Sequence, residues 1–435
     1  MLGSVLGQLA QITDAAVVGR VLGPEGLAAV GSVTSLLFFL NGFGFGAANG
    51  LAIPIAKAFG AGDLRETRRQ IAAGAYIAVA IALFISVLGV GFALPILRLQ
   101  GLPEYLVPNA ALYLRIITGG ALFTIGHAYT SAVFRAVGDT KTPMKFDLAA
   151  QFINVALTVL FVVFLNFGIP GAAYTTLISV TVTLLAAVIY FKKRLPELVP
   201  SRAEWRSGLS AVKEPAQLAF PMGLQNCAVA LGVVVIQGAV NSLGGDAIAA
   251  YAAVSRIVAL IVSPLSAINL AVVTFVAQNR GAELWQRIRH TINRALIIST
   301  ATALVSGAIL FIFARPLVGV FIADTSSLAA NLAVGYLHLS AGLFFISGVK
   351  FVMRGAVQGM GNTVIPLVST VLELVVRISV AVFMVRLLGL PAVALGTPIA
   401  WAVGFVVNLA VWVRMVRSWN LLPTPAVSSD FAKAA

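Results

Sequence analysis

The chain has 435 residues, of which 60% are hydrophobic and 10% are charged, and its mean hydropathy is +0.99. A soluble domain carries roughly 25% charged residues, so this composition excludes an ordinary water-soluble protein. The formal net charge of +14 does not indicate a nucleic-acid partner, because the basic residues cluster in alternate loops.

Apolar blocks of about 20 residues follow one another along the whole chain, separated by clusters of glycine, proline and charge. A helix of this length spans the hydrocarbon core of a bilayer. The blocks do not alternate with polar residues as the strands of a membrane barrel do. The pattern predicts an all-α integral membrane protein with twelve transmembrane helices, at about residues 2–20, 27–50, 71–97, 108–132, 146–165, 171–191, 216–242, 247–277, 291–313, 329–353, 364–387 and 391–413.

The first predicted helix is short, because only about 13 residues precede Asp14 and a turn is predicted at Gly19–Gly26. A full span needs about 20 residues. We therefore expect that an amino-terminal stretch is missing from this sequence.

The two halves of the chain repeat each other. One constant shift along the chain, without a gap, places Leu22–Ile71 on Leu243–Ile292. Nearly the same shift places GDTKTP at Gly138–Pro143 on GNTVIP at Gly361–Pro366. Paired lobes of this kind are typical of transporters that move them about a central cavity.

The repeat divides the chain into an N-lobe at residues 1–191, with helices one to six, and a C-lobe at residues 216–419, with helices seven to twelve. Residues 192–215 carry six basic side chains and are predicted to form the inter-lobe loop, and residues 420–435 to form a flexible tail. An even number of helices per lobe makes the lobes parallel, related by a pseudo-two-fold axis along the membrane normal.

Basic residues mark one face of the membrane. With the amino terminus in the cytoplasm, 22 of the 29 Lys and Arg residues fall on the cytoplasmic side and 5 on the other, while Arg256 and Arg377 lie within helices. The positive-inside rule explains this distribution and places both termini in the cytoplasm. We expect a monomeric, multi-pass protein of the cell inner membrane, whose surroundings are lipid and not nucleic acid.

Six segments, in order over both halves, carry a family resemblance: TDAAVVGRVLGPEGLAAVG, KAFGAGDLRETRR, FRAVGDTKTP, NFGIPGAAYTT, LGGDAIAAYAAVSRI and GMGNTVIP. Together they resemble the multidrug and toxic compound extrusion (MATE) family, from about Thr13 to the twelfth helix. The resemblance implies proton- or sodium-driven export of bulky, often cationic compounds, through a cleft between two V-shaped lobes.

The resemblance also implies where the driving ion binds. The family uses an acid on helix one, an Asn and an acid on helix five, and a Thr on helix six. These positions correspond to Asp14, Asn154, Thr158 and Thr176. Thr158 thus replaces the second acid, which puts a full cation-chelating site in doubt. Acids that other members carry on helices seven and ten are also missing here.

The residue types themselves support these roles unequally. A carboxylate in hydrocarbon costs several kcal/mol unless it is protonated or faces a cavity, so Asp14 is suited to carry a proton, or is an interfacial residue at the helix end. Asn154, with Gln151 one turn earlier, could hold a carboxylate or a water, or form an interhelical hydrogen bond. Thr158 and Thr176 could instead bond to their own backbone.

The C-lobe has one predicted charge pair within the membrane. Glu373 and Arg377 are four residues apart in helix eleven, a spacing that allows the two charges to neutralise each other. The pair is a switch that breaks as the lobes move, a proton site, or a static contact. Arg256 is expected to reach the outer interface or to meet an acid.

The histidines and the single cysteine indicate neither a metal site nor a disulfide. His127 and His338 have no second ligand at helical spacing, so no metal site is predicted. Cys227 is the only cysteine, which excludes a disulfide framework.

Aromatic and amide side chains are candidates for the wall of a substrate cleft. They are Phe38 and Phe43 on helix two, Gln151 on helix five, and Phe344 and Phe345 on helix ten. Aromatic surfaces suit varied ligands, although phenylalanine in a membrane protein also faces lipid or packs in the interior.

Gly42, Gly46 and Gly50 lie four residues apart on helix two. This spacing predicts close contact with another helix. A dinucleotide site is not indicated, because no strand precedes the glycines.

These patterns predict a secondary active antiporter that exports drug-like small molecules in exchange for protons, with no cofactor besides the ion gradient. A sodium-coupled version stays open, although Thr158 removes a carboxylate that sodium would use. A flippase for a lipid-linked glycan or peptidoglycan precursor also stays open, although only Arg256 and Arg377 are predicted to lie deep. An enzyme is not expected, since the chain lacks a GxSxG nucleophile elbow, an HExxH motif and paired aspartates.

Overall fold

Every regular element of the structure, a computed structural model, is a helix within residues 2–419, the part of the backbone that it describes. The side chains of residues 2–20, 22–25, 27, 35, 418 and 419 lie outside this description. The α-helices are α1 Leu2–Gly60, α2 Leu64–Gly91, α3 Ala93–Leu99, α4 Val107–Gly119, α5 Ala121–Ala136, α6 Lys141–Thr158, α7 Gly168–Arg194, α8 Arg202–Ser210, α9 Lys213–Asn241, α10 Gly245–Gly281, α11 Trp285–Ile312, α12 Ala314–Gly319, α13 Leu328–Ala341, α14 Phe345–Gly359, α15 Val364–Ser379, α16 Val385–Leu388 and α17 Leu390–Trp419.

About half of these helices are long and apolar enough to cross a membrane. Within the described residues, eight pass by length and composition, and α13 with α14, bent by 57°, raises the number to up to nine. The predicted spans at 108–132 and 364–387 are each built from two helices in the structure. The helices α4 and α5 are separated at Gly120, and a π-helical segment at Val380–Met384 joins α15 to α16.

The first two predicted helices are joined in the structure. Residues 2–60 form the uninterrupted helix α1, so the turn predicted at Gly19–Gly26 is wrong. At 1.5 Å per residue its length is about 88 Å, well beyond the roughly 30 Å of one hydrocarbon core. Membrane proteins tolerate glycine and proline within helices, because neighbouring groups satisfy the freed backbone, so such a run need not end a helix.

The repeat found in the sequence is also a repeat of secondary structure. The shift that aligns Leu22 with Leu243 carries α2 onto α11 end to end. The same shift carries the π-helical segment Val159–Phe164 onto Val380–Met384. Even the turns correspond, since Gly168 and Gly389 both have a positive φ, of 62° and 64°.

The predicted inter-lobe loop contains the short helix α8. Its start is fixed by a capping box between Ser201 and Glu204. Arg68 on α2 donates from Nε to Oε1 of Glu204 at 2.8 Å, and Gly208 lies against Ala72. Part of the linker is therefore held on the N-lobe.

The two lobes meet where equivalent helices end. A Cβ atom on Gly60, the last residue of α1, would overlap the carbonyl oxygen of Gln278 on α10. A Cβ on Gly281, the last residue of α10, would overlap the carbonyl oxygen of Lys57 on α1. The repeat relates Gly60 to Gly281 and Lys57 to Gln278, so the pseudo-two-fold axis passes through this crossing.

The glycine ridge of α1 provides the second contact between the lobes. Gly46 lies against the backbone of Met222, and Gly50 against that of Ala219, both on α9. The close helix packing predicted for these glycines is confirmed. Farther along α1, a Cβ on Gly31 would have no described neighbour within 4 Å, so this close contact is confined to the end of α1 nearer Gly60.

Candidate functional site

The N-lobe brings two of the predicted ion-coupling residues together. Asn154 on α6 donates from Nδ2 to Oγ1 of Thr176 on α7 at 3.3 Å. The Thr176 hydroxyl in turn donates to the carbonyl oxygen of Ala172 at 3.2 Å. Both side chains are half-buried, so they form a polar contact between two spans that remains partly accessible.

Thr158 lies one turn beyond Asn154 but has a different partner. Its Oγ1 is 3.1 Å from Oγ1 of Thr175, and both residues are buried. Thr175 donates to Ala172 at 2.9 Å, so Thr158 can donate to Thr175. The side chain of Asp14, the predicted proton carrier on α1, lies outside the described residues.

A buried ion pair connects α14 and α15 in the C-lobe. Nζ of Lys350 is 2.6 Å from Oε2 of Glu373, and these residues are 4% and 2% exposed. The i,i+4 pair predicted between Glu373 and Arg377 is wrong, because no ion pair within 4 Å joins them among the described side chains. The cation that pairs with Glu373 comes instead from the adjacent helix α14.

Cations outnumber acids around this pair. Arg354, one turn from Lys350, and Arg377 both act electrostatically on Lys350. The Nε atoms of Arg354 and Arg377 are buried without a hydrogen-bond partner among the described residues. Arg256, the other predicted member of this set, is exposed and lies 5.9 Å from the ring centroid of Phe321. Among the described side chains, Arg256 forms no ion pair within 4 Å with Glu373.

Amide side chains extend the polar interior of the C-lobe. Gln358 on α14 donates from Nε2 to Oε1 of Gln225 on α9 at 2.8 Å. Gln225 then donates to Oγ1 of Thr370 on α15 at 2.9 Å. This chain of hydrogen bonds links α9, which packs on the N-lobe, to the two helices that carry Lys350 and Glu373.

The predicted cleft aromatics fall into three environments. Phe43 packs between the lobes, against Gly223 and 5.9 Å from the ring of Phe220. Phe344 is 1% exposed and packs 5.7 Å from Trp401 in the C-lobe interior, so it lines no open cleft. The other three candidates are accessible: Phe38 is 57% exposed, Phe345 is 40% exposed and Gln151 is half-buried.

Sequence reasoning missed an acid–base pair in the N-lobe. Nε2 of His127 on α5 is 2.9 Å from Oδ1 of Asp147 on α6. The two residues are twenty positions apart, so helical spacing alone does not reveal the contact. No group of three or more possible metal ligands is found among the described side chains.

A cavity of about 660 Å³ lies at the seam between the lobes. An ion pair of Lys57 on α1 and Glu214 on α9, 3.4 Å apart, crosses it. On the other side of the axis Gln278 donates from Nε2 to the carbonyl oxygen of Ala136 at 2.8 Å. The seam therefore has few direct polar contacts among the described residues, as a surface that opens and closes requires.

The two-lobed fold and its paired glycine crossing can be compared with known proteins. The sequence model of the MatE family matches residues 1–160 and 221–383, which is most of both lobes. The chain belongs to the MATE family. The fold agrees with this assignment: a MATE transporter solved in an outward-facing conformation has a TM-score of 0.86 at 22% identity, covering 97% of this chain and 94% of that one.

Relatives in the MATE family carry transport names. "Probable multidrug resistance protein YpnP" of Bacillus subtilis is 29% identical over 365 residues, covering 83% of this chain and 80% of the relative. A protein named as an FAD transporter, from Shewanella oneidensis, is 26% identical over 318 residues, covering 70% and 68%. This MATE protein is therefore a multi-pass membrane transporter with the family's two-lobed, twelve-helix fold, and multidrug efflux is the activity that its relatives support.

Proposed function

We propose that this MATE protein exports drug-like cations in exchange for protons, by alternating access between its two lobes. The observation that carries the proposal is the crossing of Gly60 and Gly281. Repeat-related helix ends meet there with backbone packed on backbone, while Gly31 on the same helix has open space. Two lobes that touch at one end of the cleft can rock so that they separate there and touch at the opposite end.

The orientation follows from charge. The joined ends of α1 and α10 are followed by the first turns of α2 and α11, which carry Arg65, Arg68, Arg69 and Arg287, so the closed end is the basic one. The positive-inside rule assigns this end to the cytoplasm. The arrangement is then closed toward the cytoplasm, as an exporter is when it releases its substrate.

Proton coupling rests on the N-lobe. Asp14 lies on α1, and Asn154 with Thr176 supplies an amide and a hydroxyl on neighbouring spans. Protonation of a carboxylate in a low-dielectric region cancels its charge and weakens the hydrogen bonds that it accepts from amides. That change drives transport only if the two lobe arrangements bind the proton with different affinity, and the same holds for the substrate.

The test uses purified protein in liposomes, with transport of an ethidium-like dye driven by a proton gradient or by a sodium gradient. We expect the proton gradient alone to drive transport. Asp14→Asn should abolish it while dye binding persists. Asp246→Asn, an exposed carboxylate at the start of α10, is the matched control and should transport normally. Transport driven only by sodium, or normal pumping by Asp14→Asn, would overturn proton coupling at this residue.

The C-lobe favours a second candidate, export of anionic compounds. Lys350, Arg354 and Arg377 surround the single carboxylate of Glu373. Such an excess of cations suits a carboxylate or phosphate more than a cationic drug. The relative named as an FAD transporter has a substrate of this kind, since FAD carries a pyrophosphate. An anionic dye in the same liposomes decides between the candidates: preferred transport of the anion, lost in Arg354→Gln, favours the second.

A further inference from the structure

An apolar groove of about 280 Å³ lies on the surface of the N-lobe, between α2, α5, α7 and the linker. Its described lining lies within residues 71–205, so it is separate from the seam between the lobes. Val79 on α2 and Leu122 on α5 line it and are 43% and 42% exposed. Because these helices cross the bilayer, the groove opens toward lipid.

The floor of the groove is shaped by a glycine and is largely apolar, with Tyr129 and Thr130 as its polar side chains. A Cβ on Gly126 would lie 3.1 Å from Cδ2 of Leu184 on α7, so a larger side chain there would fill the groove. The Tyr129 hydroxyl is already engaged, because it donates to the carbonyl oxygen of Ile71 at 2.6 Å. A drug-sized ligand is normally oriented by several converging polar groups, and this floor has few of them.

One end of the groove is cationic and aromatic. Lys192 begins the run Lys192–Arg194 in the last turn of α7, and it lines the groove together with Trp205 on α8. Trp205 is held by Tyr76, whose ring lies 5.4 Å away and whose hydroxyl donates to the Trp205 carbonyl oxygen at 3.2 Å. Tryptophan and lysine are the residues that membrane proteins place at the level of lipid headgroups.

The linker holds this end in place. The Ser201 hydroxyl, followed by the Arg68 guanidinium, lowers the pKa of the Glu204 carboxyl to about 2 by hydrogen bonding to its ionised form. Glu204 therefore stays charged at any physiological pH and keeps α8 paired to α2. The apolar floor and the cationic end are thus built before any ligand arrives.

We propose that this groove binds an anionic phospholipid of the surrounding bilayer. One acyl chain lies along Gly126 and Leu184, and the phosphate pairs with Lys192 beside Trp205. An acyl chain requires a largely apolar surface, which the floor provides. A lysine at the membrane surface attracts an anionic headgroup, with an effect of about fivefold in affinity. The site is independent of the proposed substrate and coupling ion.

Native mass spectrometry of the full-length protein, titrated with phosphatidylglycerol or with phosphatidylcholine of the same acyl chains, tests the assignment. We expect one phosphatidylglycerol to bind about fivefold more tightly than phosphatidylcholine. Lys192→Gln should remove this preference while leaving phosphatidylcholine binding unchanged. Gly126→Leu should reduce binding of both lipids, because its side chain fills the groove.

Matched variants keep the test specific. Lys193→Gln removes a neighbouring charge that does not line the groove, and Gly238→Leu adds a side chain where nothing lies within 4 Å. Both should bind lipid like the native protein. Equal binding of the two lipids by the native protein, or an unchanged preference in Lys192→Gln, would overturn the proposal, and the Lys192→Gln result stands even if Gly126→Leu fails to fold.

Discussion

Among the described residues, Glu373 is the one carboxylate beside a cluster of cations, so its substitution should destabilise the protein more than substitution of one of those cations. Glu373→Gln leaves Lys350, Arg354 and Arg377 without a carboxylate, and breaking a buried pair in this way costs about 3–5 kcal/mol. Lys350→Met leaves Glu373 beside Arg354, which already acts on it electrostatically, so the loss should be smaller. Thermal unfolding of the detergent-solubilised variants should therefore rank Glu373→Gln well below Lys350→Met.

The exposed pair Arg98 and Glu104 is the control for this ranking. Its atoms are 3.1 Å apart and its side chains are 60% and 72% exposed. An exposed pair contributes at most about 1 kcal/mol, so Glu104→Gln should leave the unfolding midpoint almost unchanged. If Lys350→Met were as destabilising as Glu373→Gln, the two arginines would not be compensating the carboxylate.

Sequence alone finds the residue Glu373 but not its partner. The i,i+4 rule compares residues within one helix, which is why it selects Arg377. Lys350 and Arg354 lie near the end of a predicted span, where a basic residue is expected to reach the loop. Their burial depends on how α14 packs against α15 and α17, and that packing is not encoded in any local spacing. The same holds for His127 with Asp147.

At the level of elements, the glycines at the helix crossing determine how closely the lobes approach. Gly60→Ala would place a methyl group on the backbone of Gln278, where no flexible side chain can give way. Overpacking of this kind costs about 1–3 kcal/mol, which corresponds to about a 5- to 150-fold change in population. The closed arrangement alone bears this cost, so we expect the lobes to separate at this end.

Labelling of a buried thiol measures that separation. Ala56→Cys, in a Cys227→Ala background, replaces a residue of α1 that is 1% exposed, so it should react slowly with maleimide. Adding Gly60→Ala should raise the rate by at least about fivefold. Gly238→Ala, on open surface, should have no effect. An unchanged rate with Gly60→Ala would mean that the crossing does not limit closure.

Element positions follow from the sequence better than side-chain partners do. The bilayer demands about 20 apolar residues per span, and this requirement marks most helices clearly. It fails at α1, where one helix covers two predicted spans, because neither glycine nor proline must end a membrane helix. It also fails at α8, whose polar sequence is that of a loop and whose helix is held by its cap and by Arg68.

For the whole molecule, the internal repeat creates a symmetric crossing with asymmetric surroundings. Lys57 and Gln278 are related by the repeat, yet one forms an ion pair with Glu214 and the other bonds to the backbone of Ala136. Each contact joins the N-lobe to the C-lobe. The ion pair is exposed and the Gln278 bond is a single part-buried hydrogen bond, so neither contributes more than about 1–1.5 kcal/mol. Backbone packing at the glycine crossing can therefore hold the lobes together, while the polar contacts on either side of the crossing break as the lobes move.

A reversible crosslink across this seam should stop transport. In a Cys227→Ala background, Lys57→Cys with Glu214→Cys places one thiol on each lobe, where the native side chains approach to 3.4 Å. A bismaleimide with a cleavable disulfide should block dye export in liposomes, and dithiothreitol should restore it. Arg98→Cys with Glu104→Cys, a pair within the N-lobe, should crosslink without loss of transport. If the inter-lobe crosslink forms and export continues, then the lobes do not separate at this end, and substrate must enter by another route.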